Sequence, residues 1–440
     1  MLIGNQCVRP NRSRKKSSCQ KWIFSLLAYQ IMKHFISLIS FLLLVSCTGR
    51  TPNSTDIAEI SNIIDLDSGL KNMQTVRLSE IADSVTFIPF ETSSRRSLFG
   101  VSISGIRFSP SYIFNNNAYF DWNGNFCGRI GSRGNGPLEE PEGVYTVFFS
   151  DNHFYSKGGK FIEYDSTGKP TGKARNLYNS QYEGTFLYAE FFPAEDNFAV
   201  YDFPNTMYFV NKDFETVASR PVFEVDFNPT NYTSSSHRTN CFSTYKDHTL
   251  FYNFINDTIY YAQNAALEPK WIVRFNNPAR LSTEAILNYR RLVGESRFVV
   301  GPFENSEWAK LMDNKHVVNA VYETDSYLFF RMTEIILLAE RRGKKPSEPY
   351  IVCYEKATGT TFRIAGSGFV DDLLGLDDFF YPALGFYDEK IFTAVWPYEL
   401  QDKIKESKAK GREVHPQLLA LSQRIQPDDN PILIFVHLKK

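Results

Sequence analysis

Six stretches of the chain alternate aromatic or aliphatic residues with polar ones on either side of a short polar turn. That is the period-two pattern of paired β-strands, not the 3.6-residue stripe of a helix. The stretches are Ile106–Asn115 around Ser109-Pro110, Val144–Tyr155 around Asp151-Asn152, Tyr188–Tyr201 around Glu195-Asp196, Phe242–Phe254 around Lys246-Asp247-His248, Val318–Met332 around Thr324-Asp325-Ser326, and Leu384–Trp396 around Asp388-Glu389. Most are followed by a second hairpin, within 118–126, 161–168, 207–213, 258–261 and 350–359. Two hairpins make one four-stranded unit. The first turns recur about every 40 to 50 residues early in the chain, which is the spacing of propeller blades, and insertions widen it later. The pattern predicts an all-β fold: a six-bladed β-propeller of four-stranded antiparallel blades, with helical insertions between blades.

The sixth unit has no second hairpin nearby, because 398–426 reads as a charged, amphipathic helical excursion. Two strands are left over, Ile432–Leu438 and Ser84–Phe90. They are predicted to complete blade six together, the N-terminal strand closing the ring beside the C-terminal one and removing edges that would otherwise invite aggregation. Composition agrees: aromatic residues make up 15% of the chain, mostly Tyr and Phe, and such side chains fill pleated, half-buried surfaces. A chain of this length ordinarily divides into domains unless its core is modular, as in a propeller, where each blade packs only on its neighbours.

The N-terminus carries a different pattern. Met32, Lys33 and His34 form a basic head, Phe35–Val45 an apolar core, and Leu44-Val45-Ser46-Cys47 a lipobox, together a lipoprotein signal peptide. The apolar run is too short to span a bilayer as a stable helix. After cleavage the Cys47 thiol would carry diacylglycerol, and with further acylation each buried methylene contributes about 0.8 kcal/mol to anchoring. A membrane helix over 22–45 is the competing reading, but it would place Lys33 and His34 at mid-membrane, at a cost of several kcal/mol. Residues 1–31 are read as a start-site extension, 32–46 as the signal peptide, 47–74 as a flexible tether and 75–440 as the propeller. The membrane is then a partner through lipid on Cys47, in the cell envelope and at the outer rather than the inner membrane.

Removing 1–46 changes the charge, because that segment holds seven Lys or Arg and no acid. The 48 basic residues fall to 41 against 49 acids, a net of −8. This argues against nucleic acid or anionic membrane surfaces as partners. Cys127, Cys241 and Cys353 remain after the leader and the anchor are set aside. They are far apart and odd in number, so they give neither a disulfide framework nor a zinc pattern, and they are expected to be small core residues.

Three segments resemble a known family. Leu78-Ser-Glu-Ile-Ala-Asp-Ser-Val-Thr-Phe-Ile-Pro-Phe-Glu-Thr92, Gly124-Asn-Phe-Cys-Gly-Arg-Ile-Gly-Ser-Arg-Gly-Asn-Gly-Pro137 and Asn430-Pro-Ile-Leu-Ile-Phe-Val436 are similar to the six-bladed β-propeller lipoproteins of Gram-negative gut commensals, related in shape to NHL-repeat propellers. The resemblance covers roughly 75–440. Phe90 stands where the family usually has Leu, and Leu138 where it usually has Gly. The resemblance implies the propeller and the anchor but little about activity. Asp83-Ser84-Val85 and Asp257-Thr258-Ile259 resemble an acidic-hydroxyl-aliphatic O-glycosylation acceptor used by some of these bacteria, or are plain strand residues.

Candidate chemistry is sparse. Gly131, Gly134 and Gly136 follow a strand, but no helix or P-loop lysine comes after them, so they read as a tight connection between blades one and two. Asp371, Asp372, Asp377 and Asp378 crowd one loop without the alternating oxygen ligands of a calcium loop, and read as a solvated acidic loop. His153, His237, His248, His316, His415 and His437 show neither HxH nor HExxH spacing, and Gly366-Ser367-Gly368 lacks a nucleophile elbow. No catalytic residue, metal or cofactor is assigned.

Two function classes follow. One is a binding or interaction module for a glycan, peptide or envelope protein, expected to be monomeric. The other is a propeller enzyme, a lyase, lactonase or glycoside-processing hydrolase, which would need acids or histidines converging on the channel. The strand interiors are mostly aromatic and aliphatic, which favours binding. Strand parity places the short first-hairpin turns on one side and the long segments 221–240, 276–315 (with a helix over 283–292), 333–348, 365–380 and 398–429 on the other. Ligand is expected at that insertion-rich end, with Asn116, Arg133, Arg331, Trp396 and Tyr398 near the channel mouth.

Overall fold

The computed structural model describes residues 62–99, 103–140, 146–176, 190–194, 196–202, 206–222, 242–253, 256–276, 278, 280, 313–334, 349–382 and 385–439. Cys47, Cys241, the leader, the expected helix over 283–292 and most of the long connections lie outside them.

Alternating strands pair within short reach because two-residue turns reverse the chain with the twist that the strands need. Asp151 and Asn152 both adopt positive φ, 45° and 61°, as do Asn264 and Ala265 at 51° and 53°. The result is six small antiparallel sheets arranged as a six-bladed β-propeller. Blade I comprises Ile106–Phe108, Ile113–Asn115, Ala118–Phe120 and Phe126–Arg129; blade II, Thr146–Ser150, His153–Lys157, Lys160–Tyr164 and Pro170–Asn176. Blade III comprises Glu190–Ala194, Asn197–Asp202, Thr206–Asn211 and Thr216–Pro221; blade IV, Phe242–Tyr245, His248–Phe251, Thr258–Gln263 and Ala266–Arg274. Blade V comprises His316–Glu323, Tyr327–Glu334, Pro349–Glu355 and Thr360–Ile364. Blade VI takes Gly385–Tyr387, Lys390–Val395 and Ile432–Leu438 from the end of the chain, and its fourth strand from the beginning.

That fourth strand closes the ring. Ala82–Pro89 pairs antiparallel with Ile432–Leu438 in the register Ile432↔Pro89 to Val436↔Val85, as the leftover strands predict.

The buried side chains fall into six clusters, one at each blade–blade interface. Phe114 and Ile162 join blades I and II, Tyr155 and Phe198 join II and III, and Tyr201 and Phe251 join III and IV. Leu250 and Phe330 join IV and V, Phe329 and Ile434 join V and VI, and Phe120 and Phe435 join I and VI. Each large side chain buried this way contributes roughly 1.5–3 kcal/mol, so stability is distributed around the ring.

The segment before the closing strand is also part of the fold. β1 (Ile63–Asp65) adds in parallel to the outer strand of blade IV, pairing with Ile272–Arg274. α1 (Leu66–Lys71) follows, with Asp65 accepting the Ser68 N–H at 3.1 Å as its cap, and β2 (Met73–Gln74) adds in parallel to blade V at Arg363 and Ile364. α2 (Leu78–Ile81) then leads into β3 (Ala82–Pro89). Residues 62–74, expected to be tether, thus form a strap across blades IV and V. The reason is edge protection. The outer strand of blade IV is broken in its first half by Glu268-Pro269-Lys270 and a bulge, but its second half, Trp271-Ile272-Val273, is an apolar edge, and that is the half β1 covers.

The helical excursion is real. α3 (Pro397–Ala409) and α4 (Pro416–Ser422) bury Leu400, Ile404 and Leu418 against the blade V–VI core. One cysteine expectation needs correcting. Cys353 is buried in that core, but Cys127 is exposed, because it sits at a bulged outer strand of blade I whose other face is open to solvent.

Candidate functional site

Strand order fixes what each end of the ring can carry. Turns inside hairpins lie at one end; links between hairpins and between blades lie at the other.

At the short-turn end, charged groups are spent on one another. The Asp325 carboxylate, in the first turn of blade V, accepts from the Tyr245 hydroxyl at 2.7 Å and the Lys246 ammonium at 2.6 Å, both of blade IV. Its own N–H donates to both Glu389 oxygens of blade VI at 3.0 Å. The Lys246 contact holds the Asp325 carboxyl below the usual range, while burial and the Asp325 contact push the Tyr245 hydroxyl up to about 12. Beneath them Glu323, 3% exposed, accepts from the Lys356 ammonium at 2.7 Å and the Tyr261 hydroxyl at 2.9 Å. Lys356 also donates to the Thr324 carbonyl at 2.6 Å and lies over the Tyr245 ring at 4.7 Å. Asp151 pairs with Lys212, joining blades II and III, and Asp388 with Lys390. These contacts tie the turns of blade II to III and of blade V to IV and VI.

The opposite end holds most of the sequence-predicted residues, on separate elements. Asn116 is half-buried in the central turn of blade I with φ 53°. Arg133 is exposed on the link from blade I to blade II, where its main chain forms a β-bridge with that of Glu140. Arg331 sits deeper than expected, at mid-strand in blade V opposite Ala320 and Ile351, beside Tyr381, whose hydroxyl burial pushes up to about 12. Trp396 is half-buried as the N-cap residue of α3, and Tyr398, two residues on, is 50% exposed, its hydroxyl donating to Glu399 at 3.2 Å. The structure places Asn116, Arg133, Trp396 and Tyr398 at one end of the ring, on the connections of blades I and VI but not in one contact, and leaves Arg331 within a strand of blade V.

What organises this end was not legible as a site. Asn430, 3% exposed, donates to the carbonyls of Glu91 and Ser97 at 2.6 and 2.8 Å and accepts the Phe99 N–H at 2.8 Å, fixing the link from blade VI to blade I. The Arg129 guanidinium donates to the carbonyls of Arg96 and Leu98 and to Asn117 Oδ1, each at 2.7 Å. The glycine-rich stretch is the expected tight link. A Cβ on Gly134 would lie 2.0 Å from Glu139 Oε2, which accepts the Gly136 N–H at 2.9 Å. The acidic loop is more than solvated. Asp371 accepts the N–H groups of Leu374, Gly375, Leu376 and Asp377; Asp372 accepts from the Ser79 N–H and hydroxyl; Asp377 pairs with Lys403 and Asp378 with Arg412. Its four carboxylates pin the loop to itself, to α2 and to the α3 excursion.

Among the described residues no group of three or more His, Cys, Asp or Glu is placed to hold a metal, and no helix is long and apolar enough to cross a membrane.

Residues 61–437 match DUF4934, described as a domain of unknown function. The chain belongs to this family. Among solved structures, the chain is similar to an exported-protein candidate of Bacteroides fragilis, at 17% identity and TM-score 0.60, covering 86% of this chain and all of that one. That likeness shows the fold. BamB from Moraxella catarrhalis (13% identity, TM-score 0.28, 66% and 70% covered) shares much less, as does the extracellular domain of a candidate one-component system of B. thetaiotaomicron (9%, TM-score 0.28, 66% and 28% covered). No curated protein matches.

Proposed function

We propose that this DUF4934 protein is a cell-envelope lipoprotein, anchored by lipid on Cys47, whose monomeric propeller is a binding module for a glycan, peptide or partner protein. The observation that carries this reading is the division of labour between the two ends of the ring. Short-turn acids and lysines neutralise one another, as at Asp325 with Lys246 and Asp151 with Lys212. The other end carries the connections 365–380 and 396–431 and presents Arg133 and Tyr398 to solvent. Aromatic rings there can stack on a sugar or a peptide side chain, while guanidinium and amide groups orient it. The fold shared with an exported-protein candidate supports an envelope setting.

The test is a glycan and peptide array probed with the mature chain, followed by alanine scanning against whatever binds. Alanine at Trp396, Tyr398 or Arg331 is expected to weaken binding by roughly 1 kcal/mol or more, with circular dichroism unchanged. Losses as large from alanine at Asp151, Asp196 or Asp325 would place the ligand at the short-turn end.

A further inference from the structure

The link from blade I to blade II is held by a two-way clasp. Glu140 has no exposed surface. Its carboxylate enters the turn between the second and third strands of blade II and accepts the Lys160 N–H at 3.2 and 3.1 Å, together with the N–H groups of Gly158 and Gly159. In the other direction, the Lys160 ammonium donates to the carbonyls of Gly136, Pro137 and Glu139 at 2.6, 3.2 and 2.9 Å. The Gly134 N–H donates to the Glu140 carbonyl at 3.1 Å and the Glu140 N–H to the Ser132 carbonyl at 3.0 Å, a backbone β-bridge that places the main chain of Arg133 beside the residue that enters the turn. The titratable groups facing Glu140 from blade II are Lys160 and Tyr164, whose hydroxyl shares a 3.2 Å hydrogen bond with Ser156. On its own loop the charged neighbours are Glu139 and Arg133.

We propose that Glu140 is a proton-sensitive latch that holds the 130–140 link closed on blade II and so positions Arg133 at the insertion-rich end. The latch stands on its own geometry; only its consequence for binding rests on the ligand-end reading above. Burial pushes the Glu140 carboxyl from 4.5 up to about 7, the surrounding N–H groups and Lys160 offsetting only part of the desolvation. Opening the link returns the carboxyl to water and to its ordinary value. The closed form therefore binds the proton more tightly than the open form. Closure is strongest below pH 4.5, weakens as pH rises to about 7, and is level above that.

Hydrogen–deuterium exchange on the full chain tests this without any ligand. Rates are corrected for the intrinsic pH dependence and compared with a control peptide from Pro349–Glu355 of blade V. Between pH 5.5 and pH 8, protection of the 131–140 peptide is expected to fall on the order of tenfold more than that of the control. Glu140→Gln, which cannot titrate, is expected to show no such difference. If Glu140→Gln does not fold, Lys160→Met serves instead: losing the ammonium is expected to move the transition to higher pH. Protection that tracks the control in the native chain, or a pH dependence that survives Glu140→Gln, overturns the proposal. Failure here leaves the ligand end untouched, and failure of the alanine scan leaves the latch untouched.

Discussion

At the scale of single residues, the fold depends on a few positions where backbone or charge leaves no alternative. Gly124 has φ +85°, and a Cβ there would lie 2.3 Å from the Pro89 carbonyl oxygen, at the seam where the closing strand meets blade I. Neither atom belongs to a flexible side chain, so Gly124→Ala is expected to cost about 2 kcal/mol or more. Gly172, also at positive φ but with open space around it, is the control, and Gly172→Ala is expected to cost only about 1 kcal/mol. Urea denaturation of both variants checks the contrast. The Glu323–Lys356 pair gives the second prediction. Glu323→Ala strands an ammonium and the Tyr261 hydroxyl in the blade IV–V interface, at an expected cost of about 3 kcal/mol. Glu323→Leu combined with Lys356→Met removes both charges and is expected to recover most of that loss. Equal melting of the single and double variants would show that the pair is not coupled.

At the scale of elements, the sequence marks strands and helices well but not their duties. Ile432–Leu438 is the third strand of blade VI, between Lys390–Val395 and β3. Deleting 430–440 is expected to lower the melting temperature of the whole propeller cooperatively, because it opens the ring and exposes two strand edges. A truncated chain melting as high and as sharply as the intact one would contradict the closure argument. The α3–α4 excursion should behave oppositely on its outer face. Alanine at Lys405 or Lys408 is expected to change stability by no more than about 0.5 kcal/mol, whereas Leu400→Ala, fully buried, is expected to cost about 2–5 kcal/mol. Lys403 and Arg412 fall between, since their partners Asp377 and Asp378 are largely exposed.

At the scale of the whole molecule, the proposed anchor and the ring are expected to be separable. Replacing Cys47 with Ser removes the thiol that the lipobox presents, so an uncleaved precursor is expected to accumulate in the inner membrane while the propeller itself folds. Membrane fractionation and the size of the product check this; normal trimming and release would exclude the lipoprotein reading. The ring itself needs all six interfaces, because each cluster spans two neighbours and the I–VI cluster exists only once the chain's beginning and end have met. Stability is therefore expected to be lost in one transition rather than blade by blade.

The sequence by itself determined the fold class, the blade count, the hairpin turns and the closing strand, because alternation and turn chemistry act between neighbours along the chain. It also determined that the Gly131–Gly136 stretch is a link and that 398–426 is an excursion carrying helix rather than strand. Tertiary structure decided the rest. The strap of 62–74 has too few residues per element to show a period, and its parallel partners lie some 200 to 290 residues away. Glu140, Asn430 and Glu323 read as ordinary polar residues in sequence; they became buried pins only once distant turns and carbonyls surrounded them. Arg331 belongs to the same lesson. Its place in the chain suggested a mouth, but a residue's depth within a blade is set by how strands from different segments register side by side.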